Sequence, residues 1–317
     1  MTLKFYIKKE EDSLYFEHFF KVVYNKARKI GGLWIKLRKL KQYYIDKGVK
    51  GVYVNGSSGE CIYQSVEERK LIIENVMAVA KGRLTVINHV ACNNTKDSVE
   101  LAKHSESVGV DAIASIPPIY FRLPEYSIAA YWNEISEAAP NTDFIIYNIP
   151  QLAGTALTMS LFAEMMKNPR VVGVKNSSMP TQDIQMFKSA GKAAKGEFVV
   201  FNGPDEQFVA GRAIGADGGI GGTYGVMPEL FLKLNELIVA GERDTAAALQ
   251  YDINEIIYKM CSSHANMYAV AKEILRINEN VDLGGVRKPL ENLQEADKAV
   301  AAEAAAMIKA AKDKYLA

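Results

Sequence analysis

The sequence predicts an α/β protein, a (β/α)8 TIM barrel with a C-terminal helical extension, on three observations. Short β-branched runs carry no polar alternation, as expected of strands buried on both faces of a parallel sheet. Helical stretches separate these runs at intervals of roughly 25 to 35 residues, the mark of repeated right-handed βαβ units. After about Gly222 the pattern changes to helix without strand.

Residues 1–36 fit this scheme least. MTLKFYIKKEEDSLYFEHFFKVVYNKARKI mixes aromatic and charged residues and has room for one edge strand near LKFYI and a basic helix. From Leu37 the signal is regular. LRKLKQYYIDKG sets Leu37, Leu40, Tyr43 and Tyr44 at helical spacing, Gly48 stops the helix, and the strand GVYVNG follows. VEERKLIIENVMAVAKG, capped by Ser65, leads into LTVINHV. TKDSVELAKHSESVG leads into VDAIASIPP, and PEYSIAAYWNEISEAA into DFIIYNIP. TMSLFAEMMKN leads into VVGVKNSS, TQDIQMFKSAGKAAKG into EFVVFNG, and QFVAGRAIG into ADGGIGG. That makes seven strands between Gly51 and Gly222, so the leader is asked to supply the eighth. PELFLKLNELIVAG, TAAALQYDINEIIYKMCSS, YAVAKEILRIN and the Ala- and Lys-rich stretch from Gln294 to Leu316 then read as helices. The expected division is a barrel over 1–240 and a helical segment over 241–317, whose ordinary role is packing on the barrel or on a neighbouring subunit.

Composition excludes several classes. With 317 residues the chain accommodates a barrel of about 250 residues plus an appendage. A formal net charge of +1 gives no reason to expect nucleic acid or a membrane surface as partner. Cys61, Cys92 and Cys261 lack CxxC spacing and read as reduced core residues of a cytoplasmic protein, without a disulfide framework or metal. No apolar run approaches the roughly 18 residues of a membrane span, and Lys8, Lys9, Glu10, Glu11 and Asp12 stand where a signal peptide would be apolar.

Function is sought where the strands stop, because the carboxyl ends of a parallel barrel's strands form one mouth. DFIIYNIP ends on Tyr147 and RVVGVKNSS on Lys175. NGSSGE places Ser57 and Ser58 between glycines, where backbone N–H groups and hydroxyls can hold a carboxylate, although Gly and Ser there are more often only a turn. VKNSS adds Ser177 and Ser178, NGPDE adds Asp205 and Glu206, and GGIGG adds backbone open to close approach. Asp205 and Glu206 suit either an acid/base pair or an acidic helix start.

The chemistry narrows by elimination. His89 on a strand and His104 within a helix have no triad partner and read as core or surface residues; no phosphate-binding glycine fingerprint and no HExxH motif occurs. The amine is left. Lowering a lysine from about 10.4 to roughly 7 requires about 4–5 kcal/mol of differential desolvation. A neutral amine attacks a ketone to form an imine, and Tyr147 is placed to shuttle the proton.

GVYVNGSSGE, YNIP, GVKNSS, NGPDE, ADGGIGGTYGVM and LGGVRKP, in that order over about Leu37 to Leu316, resemble the N-acetylneuraminate lyase branch of the dihydrodipicolinate synthase family. The resemblance implies a (β/α)8 barrel, usually a homotetramer, acting without a cofactor as a class I aldolase that cleaves N-acetylneuraminate to pyruvate and N-acetylmannosamine. It implies Lys175 as the imine-forming residue and Tyr147 as the proton shuttle. Ser57 and Ser58 would hold the pyruvate carboxylate, Ser57 also serving a hydroxyl relay. Tyr120, in PPIYF, matches an aromatic position that reaches toward a neighbouring subunit's site, and Ser177, Gly203, Asp205, Glu206 and Gly221 would line the sugar pocket. Where the family's synthases place an arginine to grip a second carboxylate, this chain has Leu152. Losing that charge-assisted contact forfeits about 1.5–3 kcal/mol and disfavours their substrate.

Three departures stand out. Gly222 replaces the serine of GIGST in the sugar pocket, Pro117 replaces the threonine before Tyr120, and nothing between Met1 and Gly32 matches the family's opening strand, of the type PALLTPF. The alternatives are a 2-keto-3-deoxy sugar acid aldolase, a synthase-like pyruvate condensing enzyme, and a binding-only relative that holds pyruvate or a sugar acid without turnover. The abrupt start of the likeness near Leu37 is the pattern that a shifted reading frame or a cloning artefact upstream would leave. On that hypothesis the coding DNA and the intact mass of the purified protein disagree with residues 1–37 of this sequence; a stable, active protein of the mass this sequence requires removes it.

Overall fold

The computed structural model describes residues 13–17, 39–40 and 42–317. Eight parallel strands close into a barrel in sequence order. They are β1 (Ser13–Glu17), β2 (Gly51–Val54), β3 (Thr85–His89), β4 (Ala112–Ser115), β5 (Asp143–Asn148), β6 (Val171–Asn176), β7 (Val199–Asn202) and β8 (Gly218–Gly221). All seven strands expected from Gly51 onward form, and the leader does supply the eighth. β1 pairs with both β2 and β8, with Tyr15 opposite Gly51 on one side and Ile220 on the other, so neither neighbour is left as an open edge. The expected strand near LKFYI and the basic helix lie outside the described residues.

The helices follow the sequence signals. Val66–Ala80 begins with a capping box: Ser65 accepts from the Glu68 backbone and Glu68 accepts from that of Ser65. Helices Thr95–Val108, Glu125–Glu137, Met159–Met165, Gln182–Lys195 and Phe208–Ala213 alternate with the later strands. Pro228–Ala240 follows β8, and then come Arg243–Cys261, Met267–Glu279 and Glu295–Tyr315, with no strand among the described residues after Gly221. Gly48, Gly109 and Gly215, each ending a helix just before a strand, all take positive φ, which a side chain would oppose.

Alternation along the strands decides what faces inward. Tyr53, Ile87, Ala112, Ala114, Ile145, Tyr147, Phe201 and Ile220 form one buried cluster inside the barrel. Val52, Val86, Ile113, Ile146, Val174 and Val200, offset by one residue, belong to the larger cluster between barrel and helices. Across β5 and β6, Tyr147 is the register partner of Lys175, and Lys175 is that of Phe201 on β7. A phenol, an amine and a phenyl ring therefore stand at paired positions on three neighbouring strands.

The cysteines depart from expectation. Cys61 and Cys92 are half-buried and Cys261 is exposed at a helix end, so none is a true core residue. The helical repeat around Cys261 puts Ile256, Ile257 and Met260 inward and turns the thiol to the surface.

Two residues before Lys175, Gly173 packs where a Cβ would stand 2.4 Å from Val199 Cγ2 and 2.7 Å from its carbonyl oxygen. Gly173→Ala must push β6 away from β7. The expected loss is about 1–3 kcal/mol, read as a drop of several degrees in thermal melting. An unchanged melting temperature would mean that the two strands are not held this closely.

Candidate active site

Lys175 ends the interior face of β6 at 1% exposure. Its Nζ lies 4.0 Å from the ring centroid of Tyr147 and 4.4 Å from that of Tyr53. Two aromatic faces thus occupy space that water would otherwise fill. Their quadrupoles favour a nearby cation while their bulk removes its hydration. The rings of Tyr53 and Tyr147 meet edge to face at 5.6 Å. Tyr147 Oη is 3.5 Å from Ser57 Oγ, at the outer limit of a hydrogen bond, which sets the phenol beside the loop after β2.

The predicted residues converge from separate strand ends. Ser58 is buried, and a Cβ at Gly222 would come 3.0 Å from its Oγ, so the loops after β2 and β8 touch there. Ser177 packs its hydroxyl on Gly203, where any Cβ would fall 1.9 Å from Ser177 Oγ. Asp205 is buried against Gly221, and its carboxylate accepts both the backbone N–H and the hydroxyl of Thr223. Asp205 therefore joins the loops after β7 and β8, which is more than a helix start requires. Glu206 is exposed on the same 3-10 turn. Tyr120 stands apart on the rim: it is 89% exposed, takes φ +87°, and sets its ring edge-on to Phe121 at 4.9 Å. With Phe121, Asn93 and Tyr131 it lines a surface hollow of about 500 Å³. Leu152 is also exposed at the mouth, presenting no charge there.

Several contributors are not evident from the sequence pattern. Tyr53 reads there only as part of a strand, yet it forms one wall around the amine. His89, expected in the core or at the surface, lies inside the barrel with its ring 6.0 Å from that of Tyr147. Its Nδ1 is 3.0 Å from the Asn55 carbonyl, which makes that nitrogen the donor and leaves Nε2 to accept from the Ile116 N–H at 3.4 Å. Three strands end with a buried asparagine, at Asn148, Asn176 and Asn202, and β3 carries a fourth, Asn88, one residue before its end. Asn148 Nδ2 donates to Asn176 Oδ1 at 2.7 Å and Asn176 Nδ2 to Ser178 Oγ at 2.9 Å, bracing the strand ends that carry Tyr147 and Lys175. The recurring asparagine in VINH, IIYN, GVKN and VVFN is the signal that could have found them. Among the described residues no group of three or more His, Cys, Asp or Glu is arranged to hold a metal ion, and no helix is long and apolar enough to cross a membrane.

Burial, reinforced by the positive charges of Arg69 and Lys175, pulls the His89 imidazole well below its usual range. The folded protein keeps the ring neutral, whereas the unfolded chain takes up a proton below about 6.5. The contribution of this residue to stability is therefore complete above that pH and falls as pH drops from there toward the folded value, with a slope of up to about 1.4 kcal/mol per pH unit. Thermal melts across pH 4 to 8 should show this slope in the difference between the wild type and His89→Gln, and the ring should show no NMR titration near 6.5. A normal titration there would remove the account.

Residues 23–310 match the Dihydrodipicolinate synthetase family. The N-acetylneuraminate lyase of Mediterraneibacter gnavus is 69% identical over 277 residues, 87% of each chain. A Ruminococcus gnavus sialic acid aldolase structure, a catalytic lysine mutant, superposes with a TM-score of 0.91 at 63% identity, covering 97% of this chain and 99% of that one. CdNal from Clostridium difficile, in complex with mannosamine, superposes with a TM-score of 0.83 at 27% identity, covering 96% and 99%. With most of its length matched in sequence and its barrel matched in space, the chain belongs to the dihydrodipicolinate synthetase family.

Proposed function

We propose that this protein is a Schiff-base aldolase that cleaves N-acetylneuraminate to pyruvate and N-acetylmannosamine, with Lys175 as the imine-forming residue. The observation that carries the reading is the Lys175 amine, 1% exposed between the rings of Tyr147 and Tyr53 at the mouth end of the barrel interior. The identity to a named lyase supports the substrate.

In this reading the neutral amine attacks the C2 ketone of the open-chain sugar acid, and loss of water leaves a protonated imine. Removal of the C4 hydroxyl proton breaks the C3–C4 bond. Its electron pair moves into the iminium to give an enamine, and N-acetylmannosamine leaves as the aldehyde. Protonation of C3 and hydrolysis of the imine release pyruvate and restore the amine. Tyr147 carries the proton, and its 3.5 Å separation from Ser57 supports a relay through that hydroxyl. Ser57 and Ser58 hold the carboxylate. Ser177, Gly203, Asp205, Glu206, Gly221 and Gly222 line the sugar side, where Asp205 orders the pocket through Thr223 while Glu206 remains available to hydroxyls. Exposed, uncharged Leu152 supports a polyol over a second carboxylate.

The reading extends to a cytoplasmic homotetramer. In it Tyr120 of one copy, left 89% exposed in the single chain, completes a neighbour's site. It keeps the division into a barrel over 1–240 and a helical segment over 241–317.

Borohydride reduction with pyruvate should attach one reduced pyruvate to Lys175, and Lys175→Ala should abolish both this adduct and cleavage, with kcat falling by a factor on the order of 10³ or more. No adduct in the wild type would leave a non-covalent binder. Trapping with cleavage of 2-keto-3-deoxygluconate in place of N-acetylneuraminate would reassign the substrate, an outcome that the bare Gly222 makes worth testing.

A further inference from the structure

We infer that Lys272 and Glu60 are positioning residues for this cleavage: their buried ion pair fastens the loop carrying Ser57 and Ser58 to the C-terminal helices, so that the substrate carboxylate meets a loop already in its bound shape. The inference rests on the lyase reading above.

Glu60 ends the NGSSGE loop, and its backbone N–H donates to the Ser57 carbonyl at 2.9 Å. Asn55 and Glu60, at the two ends of that loop, both take left-handed backbone conformations, φ +57° and +59°. Residues with side chains hold such angles only where their surroundings over-determine them. The surroundings here come from the far end of the chain. The Lys272 ammonium contacts Glu60 Oε1, with the two side chains at 1% and 0% exposure, and also donates to the Gly285 carbonyl at 3.1 Å. Glu60 Oε2 accepts the Arg287 backbone N–H at 2.6 Å. The Arg287 guanidinium reaches Glu68 and donates to the Tyr63 carbonyl at 3.2 Å.

These contacts give LGGVRKP a task, for which the resemblance supplied none. Gly285 lies where a Cβ would fall 1.9 Å from Asn292 Oδ1, and Asn292 in turn accepts the Val286 N–H at 2.7 Å, so the segment is shaped to present its backbone to Glu60. A buried ion pair is a weak device for stability, because the desolvation of both charges offsets their attraction, and neutral isosteres often serve as well. What the pair does supply is one fixed geometry. Ser57 Oγ is 3.5 Å from Tyr147 Oη, so a small shift of the loop disconnects the relay as well as the carboxylate seat.

The test uses the full chain as wild type, as Lys272→Met, and as Glu60→Gln with Lys272→Met, which leaves no buried charge unpaired. Melting temperature is read beside the pyruvate concentration that gives half-maximal borohydride trapping on Lys175. The expected result is a double variant that melts close to wild type and reaches full trapping, but only at about tenfold or more pyruvate. A folded double variant with the wild-type pyruvate dependence overturns the inference. Trapping lost only in proportion to folded protein, in both variants, also overturns it and leaves the pair as a stability element. A wild type that traps no pyruvate removes the lyase reading and this inference together, whereas failure of the inference alone leaves wild-type trapping intact.

Discussion

An amine held out of water at the end of an interior strand is the constraint around which this molecule is arranged. Taking an ammonium into an apolar interior costs several kcal/mol unless partners compensate. At Lys175 the aromatic faces of Tyr53 and Tyr147 are part of that compensation, and neither suits a fully exposed position. The requirement propagates. For three such side chains to meet, β2, β5 and β6 must each turn the right residue inward near the mouth, and the barrel must close to keep solvent out. Pairing of β1 with both β2 and β8 provides that closure.

A barrel alone does not complete the mouth. The loop after β7 is held from outside, where Gln250 Nε2 donates to the Asp205 carbonyl at 3.2 Å and Asn254 Nδ2 to that of Glu206 at 3.3 Å. Both donors come from the helix Arg243–Cys261. Together with Lys272 and Arg287 on the loop after β2, the C-terminal segment grips two of the loops that carry candidate substrate contacts. It is thus tied to the site through specific polar contacts in addition to packing on the barrel.

Much of this is legible in the sequence because it is local or periodic. Buried β-branched runs, Ser65 before Glu68, and glycines before strands each depend on neighbours within a few residues, and each appears in the structure as the pattern predicts. Lys175 and Tyr147 are legible because both close such runs. The rest depends on distance along the chain. The pairing of Glu60 with Lys272 spans 212 residues, and either side chain in isolation resembles a surface charge. Tyr53 in GVYVNG looks like any strand aromatic until the fold puts its face against an amine from a distant strand. β1 carries no family pattern at all, and its place between β2 and β8 follows from closure of the sheet, which no window of sequence expresses.

Gly222 illustrates how a departure from a family pattern must be read in three dimensions. By motif alone it subtracts a hydroxyl that the resemblance would place in the sugar pocket. In space, a Cβ at Gly222 would stand 3.0 Å from Ser58 Oγ and 3.8 Å from Tyr268 Cε1, tighter on the serine side than such contacts usually are. A serine there would compete with Ser58 for the same volume, and Ser58 belongs to the loop that Glu60 and Lys272 hold in place. The glycine and that loop's position are therefore mutually adjusted. A side chain at 222 meets Tyr268 at ordinary contact distance but asks Ser58 to give by a few tenths of an ångström, so its effect on the site would come through the Ser57–Ser58 loop as much as through any contact of its own.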